Sequence, residues 1–154
     1  MVNLDEENER ERAVAFRIVD VNFNRALEAL RVVEDTLRFT LERGDLVEEV
    51  RLLRRELGRA LSPFQRRLLT VRDVLADVGI EKKERAHHGN IRELFLANSS
   101  RVKEALRVLE EYMRFIDAKS SRRIGELRYR FYEIERSASS ALFPQKRLAD
   151  ALLY

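Results

Sequence analysis

Apolar residues recur along the chain at steps of three and four, the period of a helix with one buried face. One such stripe runs through positions 15, 19, 26, 29, 33 and 37, with polar Asn22 and Thr40 in the same register. A second runs through Ile91, Phe95, Val102, Ala105, Leu109, Met113 and Ile116, with Asn98 in its gap. This spacing predicts one long helix over roughly 12–42 and another from about Asn90 to Ile116. A shorter stripe follows each. Leu46, Val50, Leu53, Leu57 and Leu61 predict a helix over 46–61, and Ile124, Leu127, Phe131, Ile134 and Ala138 predict one over about 121–142. Residues 1–11 are polar and acidic and are expected to fray. Gly44 is the expected C-terminal glycine of the first helix and Asp45 the cap of the next. Pro63 and Pro144 lie just beyond the two shorter helices.

The two long helices are copies of one phrase. NFNRALEALRVVEDTLRF at 22–39 and NSSRVKEALRVLEEYMRF at 98–115, offset by 76, are identical at ten of eighteen positions. The identical pairs include Asn22/Asn98, Arg25/Arg101, Glu28/Glu104, Ala29/Ala105, Arg31/Arg107 and Glu34/Glu110. The shorter helices match at an offset of 74, which makes the second turn two residues shorter and sets Arg54 opposite Arg128. Internal repeats of this kind decide the fold class. The expectation is an all-α helical bundle built from two repeated long-helix hairpins with an approximate internal two-fold. Neither hairpin can bury its apolar face alone, so the two share one core within a single helical domain, 1–154. Repeat 1 covers about 12–61, a connector 62–89, repeat 2 about 90–142 and a C-terminal tail 143–154. Small Ala29 and Ala105 allow the long helices to approach closely.

Composition agrees with helices: 45% hydrophobic, 37% charged, five Gly and two Pro. No apolar run approaches the roughly 18 residues of a membrane span, and the N-terminus does not read as a signal peptide. There is no Cys, which excludes disulfides and thiolate metal sites and fits a cytoplasmic protein. Net charge is +3, but acids are interspersed with bases, as in Glu34–Arg38, Glu110–Arg114 and Arg55 beside Glu48. That pattern predicts a salt-bridged helix surface and argues against a nucleic-acid partner, which favours a one-sided basic stripe.

Asn22 and Asn98 fall inside the buried stripe, where an unpaired amide costs about 1–3 kcal/mol, so each needs a partner. Each has an arginine one turn on, Arg25 and Arg101. An amide with an arginine at this spacing suits a nitrogen heterocycle and a phosphate; a register-fixing amide pair is the structural alternative. Glu28, Arg31 and Glu34, with Glu104, Arg107 and Glu110, form ladders that drift around the helix and read mainly as structural ion pairs. In the connector, Arg72, Asp73, Asp77 and Gly79 suit either a magnesium–phosphate site or a capped turn. His87 and His88 are adjacent and are expected on an exposed loop. The G-x-x-x-x-G-K-[ST], G-x-G-x-x-G and H-E-x-x-H motifs are missing.

Three segments, RIVDVNFNRALEALRVVEDTLRF, TVRDVLADVG and LANSSRVKEALRVLEEYMRF, together resemble a known family across about residues 14–140. It is the hydroxymethylpyrimidine-phosphate kinase domain found alone or fused ahead of thiamine-phosphate synthase. The resemblance implies a phosphotransferase that uses ATP and Mg2+ to convert 4-amino-5-hydroxymethyl-2-methylpyrimidine phosphate to its pyrophosphate in thiamine biosynthesis. The family pattern falls on Arg17, Asp20, Asn22, Arg25, Glu28, Arg31 and Glu34, then Arg72, Asp73, Asp77 and Gly79, then Asn98, Arg101, Glu104, Arg107, Glu110 and Arg128. Under this resemblance Arg72, Asp73 and Asp77 would be catalytic, with both aspartates holding the metal. Asn22, Arg25, Arg31, Asn98, Arg101, Arg107 and Arg128 would bind substrate.

The competing reading is a non-catalytic module that dimerises or docks to thiamine-phosphate synthase, which predicts an exposed apolar patch along the repeat helices. A homodimer stays open under either reading. LADALLY at the end resembles the lead-in to the first strand of a fused synthase barrel, so the chain reads either as a stand-alone protein with a tail or as a domain of a fusion. The synthase reaction itself is not expected of this helical stretch, since a (β/α)₈ barrel needs about 250 residues.

Overall fold

The computed structural model describes residues 3–72 and 87–144, and among these it contains helices and no strand. α1 spans Leu4–Thr40, α2 Gly44–Leu61, α3 Gln65–Val71, α4 Ile91–Ile116 and α5 Ala118–Leu142, with a single 3₁₀ turn at Ser62–Phe64. The all-α bundle expected from the sequence is what forms. α1 packs mainly on α4, α2 on α5, and each long helix on the shorter helix that follows it.

Every position of the first long stripe is buried, from Ala15 and Val19 to Val33 and Leu37, and so are all five positions of each shorter stripe. Leu30 and Leu106 are fully buried as well, because α1 and α4 are each covered on two sides and need a wider apolar face than a surface helix. In the second copy Ile91 is exposed rather than buried, since it is the first residue of α4 and lies beyond the packed part of the bundle.

Three boundary expectations are corrected. Residues 4–11 are helical, not frayed. Asn3 caps α1 by accepting from the Asp5 amide at 3.2 Å, and Asp5, Glu6 and Glu7 lie where the helix dipole favours negative charge. The same helical start is tied to α3: Arg67 bonds Glu9 at 3.4 Å, and its guanidinium lies over the Phe16 ring, which in turn packs on Phe64. Gly44 does not terminate α1, which ends through extended Leu41; it opens α2. Asp45 is not the cap of α2. That position is Arg43, and Asp45 lies in the first turn, accepting from Arg43 Nε and Nη2 at 2.9 Å.

The turn between α4 and α5 is one residue, Asp117, against Leu41–Arg43 between α1 and α2. The difference is the two residues expected from the offsets of 76 and 74. Asp117 serves both ends. Its amide donates to Met113 O, and its side chain accepts from the Ser120 hydroxyl at 2.7 Å and the Ser120 amide at 3.1 Å. Those bonds hold its carboxyl below the usual carboxylate range.

Candidate functional site: a cleft shared by the two long helices

The N-terminal turns of α1 (Glu7 to Ala15) line a groove with the C-terminal turn of α4 (Glu111 to Phe115), so the two helices run antiparallel. Between their central turns lies a cleft of about 600 Å³. Five residues of α1 line it: Asn22, Arg25, Glu28, Ala29 and Val32. The other five are those standing 76 positions later on α4. The spacing explains this. Residues at i, i+3, i+6, i+7 and i+10 share one face of a helix, and Ala29 and Ala105 leave room that larger residues would fill.

The asparagines are buried, 6% and 5% exposed, and behave alike. Asn22 Nδ2 donates to Ile18 O, and Asn98 Nδ2 donates to Leu94 O, both at 2.9 Å. The required partner is therefore each helix's own backbone, not the opposite asparagine, which corrects the register-fixing amide pair. One amide hydrogen and the carbonyl oxygen of each side chain have no protein partner among the described residues. A donor beside an acceptor is what an aminopyrimidine edge requires.

Arg25 and Arg101 are exposed into the cleft, and among the described residues neither forms an ion pair. The same holds for Glu28 and Glu104. Farther along the helices the charges are used up. Glu34, 1% exposed, meets Arg54 at 3.2 Å, Arg51 at 3.4 Å and Arg31 at 3.5 Å. Glu110 meets Arg128 at 2.8 Å and Arg107 at 3.6 Å. The hydrogen bond to Glu110 raises the Arg128 guanidinium above its ordinary value. Gly125 stands 74 positions after Arg51, and a Cβ there would meet Glu110 Oε1 at 3.0 Å, so the second copy replaces an arginine with a close backbone.

The structure thus brings together Asn22, Arg25, Asn98 and Arg101, and sets the other candidates elsewhere. Arg31, Arg107 and Arg128 belong to the Glu34 and Glu110 ion pairs and do not line the cleft. Arg72 bonds buried Asp20 through Nε at 2.8 Å and Nη2 at 2.6 Å, which ties the end of α3 to α1 and raises its guanidinium above the ordinary value. Asp73, Asp77 and Gly79 lie outside the described residues. Among the described residues no three His, Cys, Asp or Glu side chains converge as a metal site. His87 and His88 are exposed, as expected. Arg38 lies over the Phe39 ring and Arg114 pairs with Glu111, in place of the expected partners Glu34 and Glu110. Glu28 and Glu104 were expected in ladders; their position three residues after the cleft arginines is the signal that sets them on the same face.

Relatives of this chain carry the name thiamine-phosphate synthase. The protein of Parasynechococcus marenigrum is 40% identical over 142 residues, covering 89% of this chain and 40% of its own length. That of Synechocystis is 42% identical over 141 residues (90% and 40%), and that of Gloeobacter violaceus 37% over 146 residues (94% and 42%). The chain spans about two-fifths of the length of these relatives. Their names correct one expectation: proteins 36–42% identical over most of the chain are called synthases, so the phosphotransferase class implied by the resemblance is not upheld. No solved structure matches the chain. The model of the ThiD2 family matches residues 17–137, the region that holds all of α4, the cleft and the paired glutamates, and the chain belongs to that family.

Proposed function

We propose that this chain binds a phosphorylated aminopyrimidine, hydroxymethylpyrimidine phosphate, in the cleft between α1 and α4, and does so in the service of thiamine-phosphate synthesis. The observation that carries the reading is the pairing of two kinds of unused group in one cavity. Two buried amides keep a free donor and acceptor, and two arginines have no carboxylate partner among the described residues. Amides whose remaining polar atoms open to the cleft, beside cations without ion pairs among the described residues, suit a polar, anionic ligand. The name of the relatives supplies the pathway, and the volume of about 600 Å³ falls within the usual range for small-molecule sites.

Titration calorimetry of the chain with hydroxymethylpyrimidine phosphate, beside the unphosphorylated alcohol, tests this. Saturable binding that prefers the phosphate is expected. No binding of either by folded protein sinks the reading.

One observation favours a second reading, a docking surface for thiamine-phosphate synthase. A groove of about 790 Å³ runs between the start of α1 and the end of α4, and Val14, Tyr112 and Phe115 expose apolar surface in it. If that groove is the functional surface, Phe115→Glu abolishes co-purification with the synthase while Arg25→Ala and Arg101→Ala leave it intact.

A further inference from the structure

The two ends of the cleft are not equivalent, although their Asn, Arg and Glu residues are. On the α1 side a depression of about 370 Å³ adjoins the cleft and shares Asn22 and Arg25 with it. Arg17 lines this depression, is half-buried, and has no ion pair among the described residues. Arg17 thus differs from the partly buried Arg54 and Arg128, which pair with Glu34 and Glu110. At the matching place on α4, 76 positions later, the residue is Glu93. It is occupied: its side chain accepts from the Gly89 amide at 2.7 Å and its own amide bonds Asn90 Oδ1 at 2.9 Å, closing the N-terminus of α4. One end therefore offers two arginines without an ion pair among the described residues, and the other offers one arginine with a carboxylate eight residues, about two turns, farther out, while Glu28 and Glu104 line the cleft between them.

We infer that the ligand's phosphate lies at the α1 end, held jointly by Arg17 and Arg25 beside Asn22, with the ring directed inward toward Asn98. Eight residues separate the two arginines, about 12 Å along the helix, and positions 17, 18, 21, 22 and 25 share one face. The side chains can close on one phosphate from either side. A dianionic phosphate seeks the end with the higher positive charge and avoids Glu93. Arg17 is thus a phosphate-binding and orienting residue, and Arg101 serves the ring end. This rests on the cleft being the pyrimidine-phosphate site.

The test is calorimetric titration of wild type, Arg17→Ala, Arg17→Lys and Arg101→Ala with hydroxymethylpyrimidine phosphate and with the alcohol. Loss of charge-assisted bonds predicts that Arg17→Ala weakens the phosphate by about ten- to a hundredfold and leaves the alcohol unchanged. Arg17→Lys recovers part of the loss, and Arg101→Ala keeps the preference for phosphate over alcohol. Should Arg17→Ala not fold, Arg17→Gln replaces it. The inference is overturned if wild type binds the phosphate and the preference survives in Arg17→Ala, or if it vanishes in Arg101→Ala alone. A wild type that binds neither ligand defeats the cleft reading itself.

Discussion

Arg31 and Arg107 lie six residues, under two turns, beyond Arg25 and Arg101 on the same two helices, yet the fold treats the two sets differently. The outer set is consumed. Glu34 is almost withdrawn from water, Glu110 is partly buried, and each gathers arginines from its own helix and from the shorter helix packed on it. A carboxylate so buried is tolerated only with such partners, and the result fixes α2 against α1 and α5 against α4. The inner set is left open: Asn22, Arg25 and Glu28 face their counterparts across a cavity, with no ion pair among the described residues. The same residue types, six positions apart, form ion pairs in one region and have none among the described residues in the other. Residue type alone does not separate the two roles; the partner does.

The sharpest way to break the comparison is to strand Glu34. Arg51→Ala with Arg54→Ala leaves Glu34, 1% exposed in the native chain, with only Arg31 at 3.5 Å as an ion-pair partner. An under-compensated buried charge costs about 3 kcal/mol, read as a clear drop in the midpoint of urea unfolding. Affinity for the pyrimidine phosphate, per folded molecule, should hold. Equal loss of affinity would merge the two regions into one.

The reciprocal change comes next. Arg25→Ala removes a group without an ion-pair partner among the described residues, so the stability should change by less than about 0.5 kcal/mol. Pyrimidine-phosphate affinity should fall roughly tenfold or more. A destabilised Arg25→Ala variant would make Arg25 structural.

A smaller effect concerns acid. Asp117's carboxyl is depressed by the Ser120 hydroxyl, then by the Ser120 amide. Its contribution is therefore complete above the ordinary carboxylate value of about 4 and is lost as pH falls through the depressed folded value. The melting temperature should decline on the acid side of that range, and Asp117→Asn should flatten part of the decline. An unchanged acid limb would show that the cap is not coupled to titration.

The smallest effect is expected at Gly125. Alanine gains about 1 kcal/mol of helix propensity, but its Cβ would displace the Glu110 carboxylate that Arg128 holds. The two oppose each other, and a net change below about 1 kcal/mol is expected in thermal unfolding. A large loss would show that Glu110 cannot move.

Much of this was legible from periodicity. The stripes set the long and shorter helices, the duplicated phrase put Asn22, Arg25, Asn98 and Arg101 on facing surfaces, and the offsets foretold the shorter second turn. What was not legible was pairing in three dimensions. Glu34–Arg38 and Glu110–Arg114 have ideal i,i+4 spacing, but the glutamates turn toward the arginines of a neighbouring helix, where burial strengthens the attraction. Arg72 looked like an active-site arginine beside two aspartates, and its observed partner, Asp20, lies 52 residues away. The start of α1 read as frayed because polar composition hides a capped helix that docks on α3.

The most direct test of the cleft as a ligand site is a crystal structure grown with hydroxymethylpyrimidine phosphate. The account predicts the aminopyrimidine between Asn22 and Asn98 and the phosphate on arginines of the cleft. Density for the ligand in the groove at Tyr112 and Phe115, or an empty cleft at saturating ligand, would contradict it.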